Sequence, residues 1–277
     1  MSHGDHAALR VRTEAGVARV ILDHPPINLL DATMITDLDR AGRDLASDDS
    51  VRVVVLQSAN PDFFIAHADL NMILHGGADP AFGRQALDGF HGAVDRFRRM
   101  PKATIAQIEG RCRGGGSELA LACDMRFAAR GRAVMSQPEV ALGIIPGGGG
   151  STRLPRLIGR GRALEVILGC EDFDADLAER YGYVNRALPA AEIDGFVNAL
   201  ARRIAGFPAD AIALAKQAVA AQEPDIESRL ASECECFLRA VGAEPARRLM
   251  SAALAAGLQT AEVEAGDVTK FLSRLSS

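Results

Sequence analysis

Two glutamates, each placed just after a glycine- or proline-marked turn, are the side chains of this 277-residue sequence best suited to chemistry. Glu118 ends the run Gly114-Gly115-Gly116-Ser117-Glu118. Three consecutive glycines are costly in conformational entropy, so this stretch either makes a tight strand-to-helix turn or lets backbone N–H groups approach a ligand. A helix N-terminus favours negative charge there, through unpaired N–H groups and the helix dipole. Nucleotide phosphates do not fit: neither glycine run has the lysine of a phosphate loop, and Leu119 stands where a dinucleotide loop needs its third glycine. An oxygen that becomes negative during reaction remains. Glu139, in Gln137-Pro138-Glu139, has the pattern of a helix start with proline leading. Taken singly, each acid reads more readily as a helix cap, worth about 0.3–1 kcal/mol. Together they could form an acid/base pair facing one pocket, although pattern alone does not bring them together.

Other candidates are weaker. Gly147-Gly148-Gly149-Gly150-Ser151 reads as a flexible connection into a helix, and His67 as a packed or solvated imidazole. His3 and His6 fall in a tail expected to be disordered. No His/Asp/Glu set has the spacing of a metal site, and the five cysteines (Cys112, Cys123, Cys170, Cys234, Cys236) lack a CxxC pair, which suits reduced thiols.

The elements that must position these residues follow from periodicity. Leu9–Thr13 and Val17–Leu22 read as a hairpin, and Asp31 as the cap of a helix to about Ala46 with Met34, Ile35, Leu38, Ala41 and Leu45 on one face. Val51–Leu56 reads as a strand buried on both faces. Phe63–Ala66, Thr104–Ile108, Met125–Ala128 and Ala133–Met135 read as further strands. Helices are expected from Asp69, over 81–99 and over Ser117–Cys123. Beyond Gly149 the chain reads as mostly helical, in segments 161–169, 174–181, 190–205, 208–221, 225–241 and 244–256, so an α/β core with a helical C-terminal portion is predicted. With 48% hydrophobic and 24% charged residues the chain is globular, and its net charge of −5 argues against nucleic acid as a partner. No apolar run reaches membrane-spanning length, and the start has no secretory signal, so no membrane partner and a cytoplasmic location are expected.

In order along the chain, these motifs resemble the crotonase (enoyl-CoA hydratase/isomerase) superfamily. The resemblance is carried by Gly110-Arg111-Cys112-Arg113-Gly114-Gly115-Gly116-Ser117-Glu118-Leu119, by Cys123-Asp124, and by the stretch from Gln137-Pro138-Glu139 through Leu142-Gly143 to Pro146-Gly147-Gly148-Gly149-Gly150. Phe64-Ile65-Ala66-His67-Ala68-Asp69-Leu70 is similar to the family's F-x-A-G-A-D-L segment, and Pro26-Ile27-Asn28-Leu29-Leu30 to its N-A-L stretch. Arg153–Gly159 and Ala178–Asn185 match the downstream pattern, so the similarity spans roughly residues 9–205.

The resemblance implies a spiral of ββα units over residues 1–205 holding an acyl-CoA site, and a helical oligomerisation region over 206–277 that builds a homotrimer or a dimer of trimers. It implies an acyl-CoA thioester substrate and no separate cofactor, since CoA is part of the substrate. The Ala68 and Gly115 N–H groups would form the oxyanion hole, each worth about 2.7–4 kcal/mol. Ile27, Leu29, Ala66, Asp69, Leu70, Gly114, Pro138 and Leu142 would contact substrate. Hydratases of the family resemble this chain in having both Glu118 and Glu139, which implies water addition across a 2-enoyl-CoA double bond. Glu118 would activate the water and Glu139 exchange the Cα proton. An isomerase, an acyl-CoA hydrolase of the same superfamily and a non-catalytic acyl-CoA-binding oligomer are the alternatives.

Three positions depart from the family pattern. His67 replaces a glycine beside the oxyanion position. Arg113 replaces an apolar residue and is expected at the surface, or else facing a polar acyl group. The segment Gly257–Glu264 lacks the family's E-K-R ending, leaving Lys270 or an arginine to meet the CoA phosphates.

Overall fold

The hairpin forms as its pattern predicts: β1 (Leu9–Glu14) pairs antiparallel with β2 (Val17–Leu22), Leu9 opposite Leu22. The computed structural model describes residues 6–221 and 225–275, so His3 lies outside the described residues. His6 is described and is not part of a loose tail. Its Nδ1 lies 3.3 Å from Asp37 Oδ1, and Asp37 also accepts from the Ala7 and Ala8 N–H groups at 2.7 and 2.9 Å. A buried carboxylate with three donors converging on it holds that segment down.

Helix α1 (Ala32–Ser47) starts where Asp31 accepts from the Met34 N–H at 2.9 Å. Such caps stabilise a helix by about 1 kcal/mol. The expected stripe from Met34 to Leu45 is buried.

A strand–strand–helix unit then recurs. Strand β3 (Val53–Ser58) enters one sheet, β4 (Phe63–Ile65) enters a second, and α2 (Leu70–Ala78) with α3 (Pro80–Arg99) follows. β5 (Ala103–Ile108), β6 (Arg111–Arg113) and α4 (Gly115–Ala122) repeat the pattern. β7 (Met125–Arg130) and β8 (Val134–Ser136) do so again, leading through a 3-10 turn (Glu139–Leu142) into α5 (Gly150–Ile158) and α6 (Arg160–Gly169). After β9 (Phe173–Asp174) and α7 (Ala175–Tyr181), strand β10 (Arg186–Pro189) closes the first sheet. That sheet runs β1-β2-β3-β5-β7-β10, parallel from β2 onward, and the second runs β4-β6-β8-β9.

Besides the two-residue β9, two strands differ from expectation. β6 is only Arg-Cys-Arg, and β10 falls in the gap between the segments 174–181 and 190–205 read as helices. Both are set by their neighbours, β6 between β4 and β8 and β10 against β7. Pairing to an existing sheet overrides weak local propensity.

The chain ends in α8 (Ile193–Ala205), α9 (Ala209–Ala220), α10 (Ile226–Val241), α11 (Glu244–Ala255), α12 (Ala261–Ala265) and α13 (Val268–Ser273). α8 covers one face of the large sheet, with Ile193, Val197 and Ala201 against Val53, Val55, Ile105 and Phe127. α10, α11 and α13 turn back on the front half: Val241, Met250 and Leu272 share a core with Leu70, Leu142 and Ile144. No described helix is long and apolar enough to cross a membrane.

Candidate active site

The first glycine run lets a helix end come unusually close to its surroundings. A Cβ on Gly115 would stand 2.6 Å from Leu30 Cδ2, and one on Gly116 2.6 Å from Ile65 Cβ. Gly114 turns strand into helix at φ 50° and ψ −123°, a conformation that side chains avoid. Gly115 therefore begins α4 with its N–H among those that lack an intrahelical acceptor. Across from it, the Leu30 N–H donates to the His67 carbonyl and the Asp69 N–H to the Leu30 carbonyl, both at 3.0 Å. The Ala68 N–H between them has no backbone acceptor among the described residues. Ala68 Cβ is 3.6 Å from where a Cβ on Gly115 would be, so the two residues are neighbours.

Glu118, one turn into α4, is 4% exposed. Its Oε1 accepts from the Gly148 N–H at 2.7 Å and the Gly150 N–H at 2.8 Å. The second glycine run is thus a cradle for a carboxylate, not a flexible connection. A Cβ on Gly148 would sit 2.1 Å from Phe90 Cε1 and 2.4 Å from Glu118 Oε2. Other side chains brace the loop: His91 Nε2 lies 2.6 Å from the Gly147 carbonyl, and Arg153 Nη1 donates to the Gly148 carbonyl at 3.0 Å. Burial pushes the Glu118 carboxyl up from its ordinary value, opposed by the two N–H donors and Arg153.

Glu139 enters from the 3-10 turn. Its Oε1 would be 2.7 Å from a Cβ on Gly114, and no hydrogen-bond partner among the described residues reaches its Oε2. Burial first, then the Glu118 charge, hold this carboxyl well above its usual range. The two acids are therefore unequal: Glu118 has two N–H donors for its charge, while Glu139 is the better place for a proton.

A third acid, Glu233 on α10, was not singled out from the sequence. It is 6% exposed, and its Oε1 accepts from the Gly149 N–H at 2.5 Å. Burial and the Glu118 charge push its pKa up to about 8. A signal existed: Ile226, Leu230, Phe237 and Val241 form an apolar stripe at helical spacing, and Glu233 lies within it.

Ala68, Gly115, Glu118 and Glu139 all face one cavity of about 80 Å³, otherwise lined mainly by apolar side chains such as Met72, Leu87, Phe90, Phe237 and Val241. The remaining expected contacts lie outside its lining. Ile27, Ala66 and the half-buried Leu29 pack around Phe63, and Leu70 and Leu142 belong to the core under α11. Asp69 caps α2, Pro138 precedes the 3-10 turn, and Gly114 backs onto Glu139.

The family departures fall behind the cavity. Arg113 is 1% exposed, which corrects the expected surface position, and it does not line the cavity either. It forms a two-pronged pair with Asp172, Nε–Oδ1 2.8 Å and Nη2–Oδ2 2.6 Å. His67 is a packed imidazole, with Nε2 2.7 Å from Glu264 Oε1. Lys270 is exposed on α13. Among the described residues no group of His, Cys, Asp and Glu could hold a metal ion.

A sequence profile described as enoyl-CoA hydratase/isomerase matches residues 12–260. The short-chain-enoyl-CoA hydratase of Clostridium acetobutylicum is 32% identical over 241 residues, 86% of this chain and 91% of that protein. The crystal structure of an enoyl-CoA hydratase from Bacillus halodurans superposes with a TM-score of 0.84 at 26% identity, covering 89% of this chain and 100% of that one. An enoyl-CoA hydratase/isomerase structure from Xanthobacter autotrophicus gives a TM-score of 0.83 at 28% identity, over 94% of this chain and 98% of the other.

Proposed function

The chain belongs to the enoyl-CoA hydratase/isomerase family, and we propose that it is a hydratase-type enzyme adding water reversibly across the double bond of a 2-enoyl-CoA thioester. The observation that carries this reading is that two unequal carboxyls, Glu118 and Glu139, line one apolar cavity together with Ala68 and Gly115. The thioester oxygen would lie between the Ala68 and Gly115 N–H groups. Glu118, as carboxylate, takes a proton from water as the hydroxyl oxygen bonds to Cβ. The double-bond electrons move to Cα and the thioester oxygen, where the two donors stabilise the enolate. Glu139, as carboxylic acid, then delivers its proton to Cα. The product gains one water, and a proton passes from Glu118 back to Glu139, directly or through solvent, to reset the pair.

The test is loss of the enoyl absorbance of crotonyl-CoA on adding the protein, with the 3-hydroxyacyl product identified by mass. Glu118→Gln and Glu139→Gln are each expected to lower kcat by at least about 10²-fold. Undiminished hydration in both variants would overturn the assignment.

The helices after residue 206 carry the proposed assembly into a homotrimer or dimer of trimers. Support comes from the apolar residues that α9 and its approach leave in solvent, Phe207 at 52%, Leu214 at 63% and Val219 at 74% exposed. All five cysteines are free thiols, which supports a reducing compartment, the cytoplasm.

A further inference from the structure

We propose that Glu264 is a positioning residue for the oxyanion pocket, tying the loop that carries the Ala68 N–H to the strand that delivers the Gly115 N–H through His67 on one side and Arg113 on the other. The proposal rests on the reading of those two N–H groups as thioester donors.

Glu264 lies on α12, in the chain end that departs from the family, and is 0% exposed. Its Oε1 meets His67 Nε2 at 2.7 Å and the Gln259 N–H at 3.1 Å. Gln259 Nε2 in turn donates to Asp69 Oδ1 at 3.0 Å. Both residues flanking Ala68 are thus anchored to the segment 259–264. On the other side, Arg113 Nη1 donates to the Glu264 carbonyl at 3.0 Å and stands 3.6 Å from Glu264 Oε2. Arg113 is two residues ahead of Gly115 and is fixed from behind by Asp172.

The charge state follows from the hydrogen bonds. His67 Nδ1 lies 2.8 Å from the Ala68 carbonyl while Nε2 faces the carboxylate. Both ring nitrogens face acceptors, and only the imidazolium donates from both. The Glu264 charge raises the His67 pKa against the opposing effect of burial. The charged groups facing this cluster are Glu264 on α12, Arg111 and Arg113 on β6, Asp172 ahead of β9, and Asp69 beside the loop itself. A buried carboxylate between two cations fixes both segments, because releasing either cation leaves a charge uncompensated. The two unusual side chains and the unusual chain end thereby become parts of one device, and the family's glycine would offer no such handle at position 67.

The experiment compares wild type, Glu264→Gln, His67→Gln and the double variant, each checked for a cooperative melt. Two readouts are taken: hydration of crotonyl-CoA, and the red shift of a bound arylacryloyl-CoA, which reports carbonyl polarisation without turnover. Each single variant is expected to lower kcat by about 10- to 100-fold with KM changed less than about threefold, and to shrink the red shift. The double variant should be no worse than the worse single, since both remove one contact. The wild-type kcat should fall as pH rises through the His67 pKa, and His67→Gln should lack that limb. Unchanged kcat and red shift in Glu264→Gln, or full additivity in the double variant, overturns the proposal. If Glu264→Gln fails to melt cooperatively, His67→Gln decides on the same readouts. A wild type that red-shifts the probe without hydrating crotonyl-CoA removes the hydratase reading alone, and the shift in the variants then decides. A wild type that does neither overturns both.

Discussion

Glu118 and Glu233 are held by alternate amides of one loop: Gly148 and Gly150 donate to Glu118, and Gly149 between them donates to Glu233. Successive N–H groups pointing to opposite sides let three residues serve two carboxyl groups from different helices. The second carboxylate fixes the loop that fixes the first, so α10 reaches the site without lining it at Glu233.

Glu233 has a raised folded pKa, so the folded protein holds a proton that the unfolded chain releases. Between the ordinary value of 4.5 and about 8, stability should fall as pH rises. Glu233→Gln keeps an acceptor for the Gly149 N–H and removes that slope. Melting temperatures at pH 6 and pH 8.5 should differ less in Glu233→Gln than in wild type, and an equal difference would refute this.

The His67–Glu264 pair has the opposite combination of shifts, with His67 raised and Glu264 lowered. Its stabilisation is complete between the two ordinary values, 4.5 for Glu264 and 6.5 for His67. It is lost on the acid side as Glu264 is protonated, and on the alkaline side as His67 is deprotonated. Unfolding in urea across pH should show His67→Gln losing most relative to wild type between pH 4.5 and 6.5, with the gap closing at both extremes.

Gly148→Ala is expected to lower kcat by about 10²-fold or more, because its Cβ would displace Phe90 or the Glu118 carboxylate. Gly89→Ala, in the exposed middle of α3 with nothing within 4 Å, should instead stabilise by about 0.5–1 kcal/mol at unchanged kcat. Steady-state rates and thermal melts of the two proteins separate a cradle glycine from a merely permissive one.

Leu87 lines the small cavity from α3. Leu87→Ala should raise kcat/KM for an eight-carbon enoyl-CoA relative to crotonyl-CoA by about tenfold, at about 2–3 kcal/mol of stability. An unchanged ratio in parallel assays would show that the acyl chain leaves by another route.

Leu214→Glu places a charge on the apolar residues that α9 leaves in solvent. Sedimentation should show a smaller species than wild type, and an unchanged species would move the assembly surface elsewhere.

Elements whose local signals agreed were legible in the sequence. Asp31 followed by a Met34–Leu45 stripe specifies α1, and an uninterrupted valine run specifies a strand buried on both faces. Glu118 and Glu139 were legible as paired candidates, but their meeting depends on where β6 and β8 lie in the second sheet, and β6 carries no strand signal of its own. Arg113 was misplaced because its partners, Asp172 and Glu264, are distant in the chain and nothing local announces them. A lone arginine reads as exposed until its counter-charges are known.

Peptide amides supply the donors on both sides of this proposed chemistry, Ala68 and Gly115 for the substrate oxygen, Gly148 and Gly150 for the base. No exchange of side chain deletes an N–H group, apart from proline. Heritable variation in the cavity wall, at residues such as Met72, Leu87 or Val241, can therefore redirect which acyl group is accepted while leaving the polarising apparatus intact. Selectivity and reactivity are written in different parts of the polymer, one in its branches and the other in its spine.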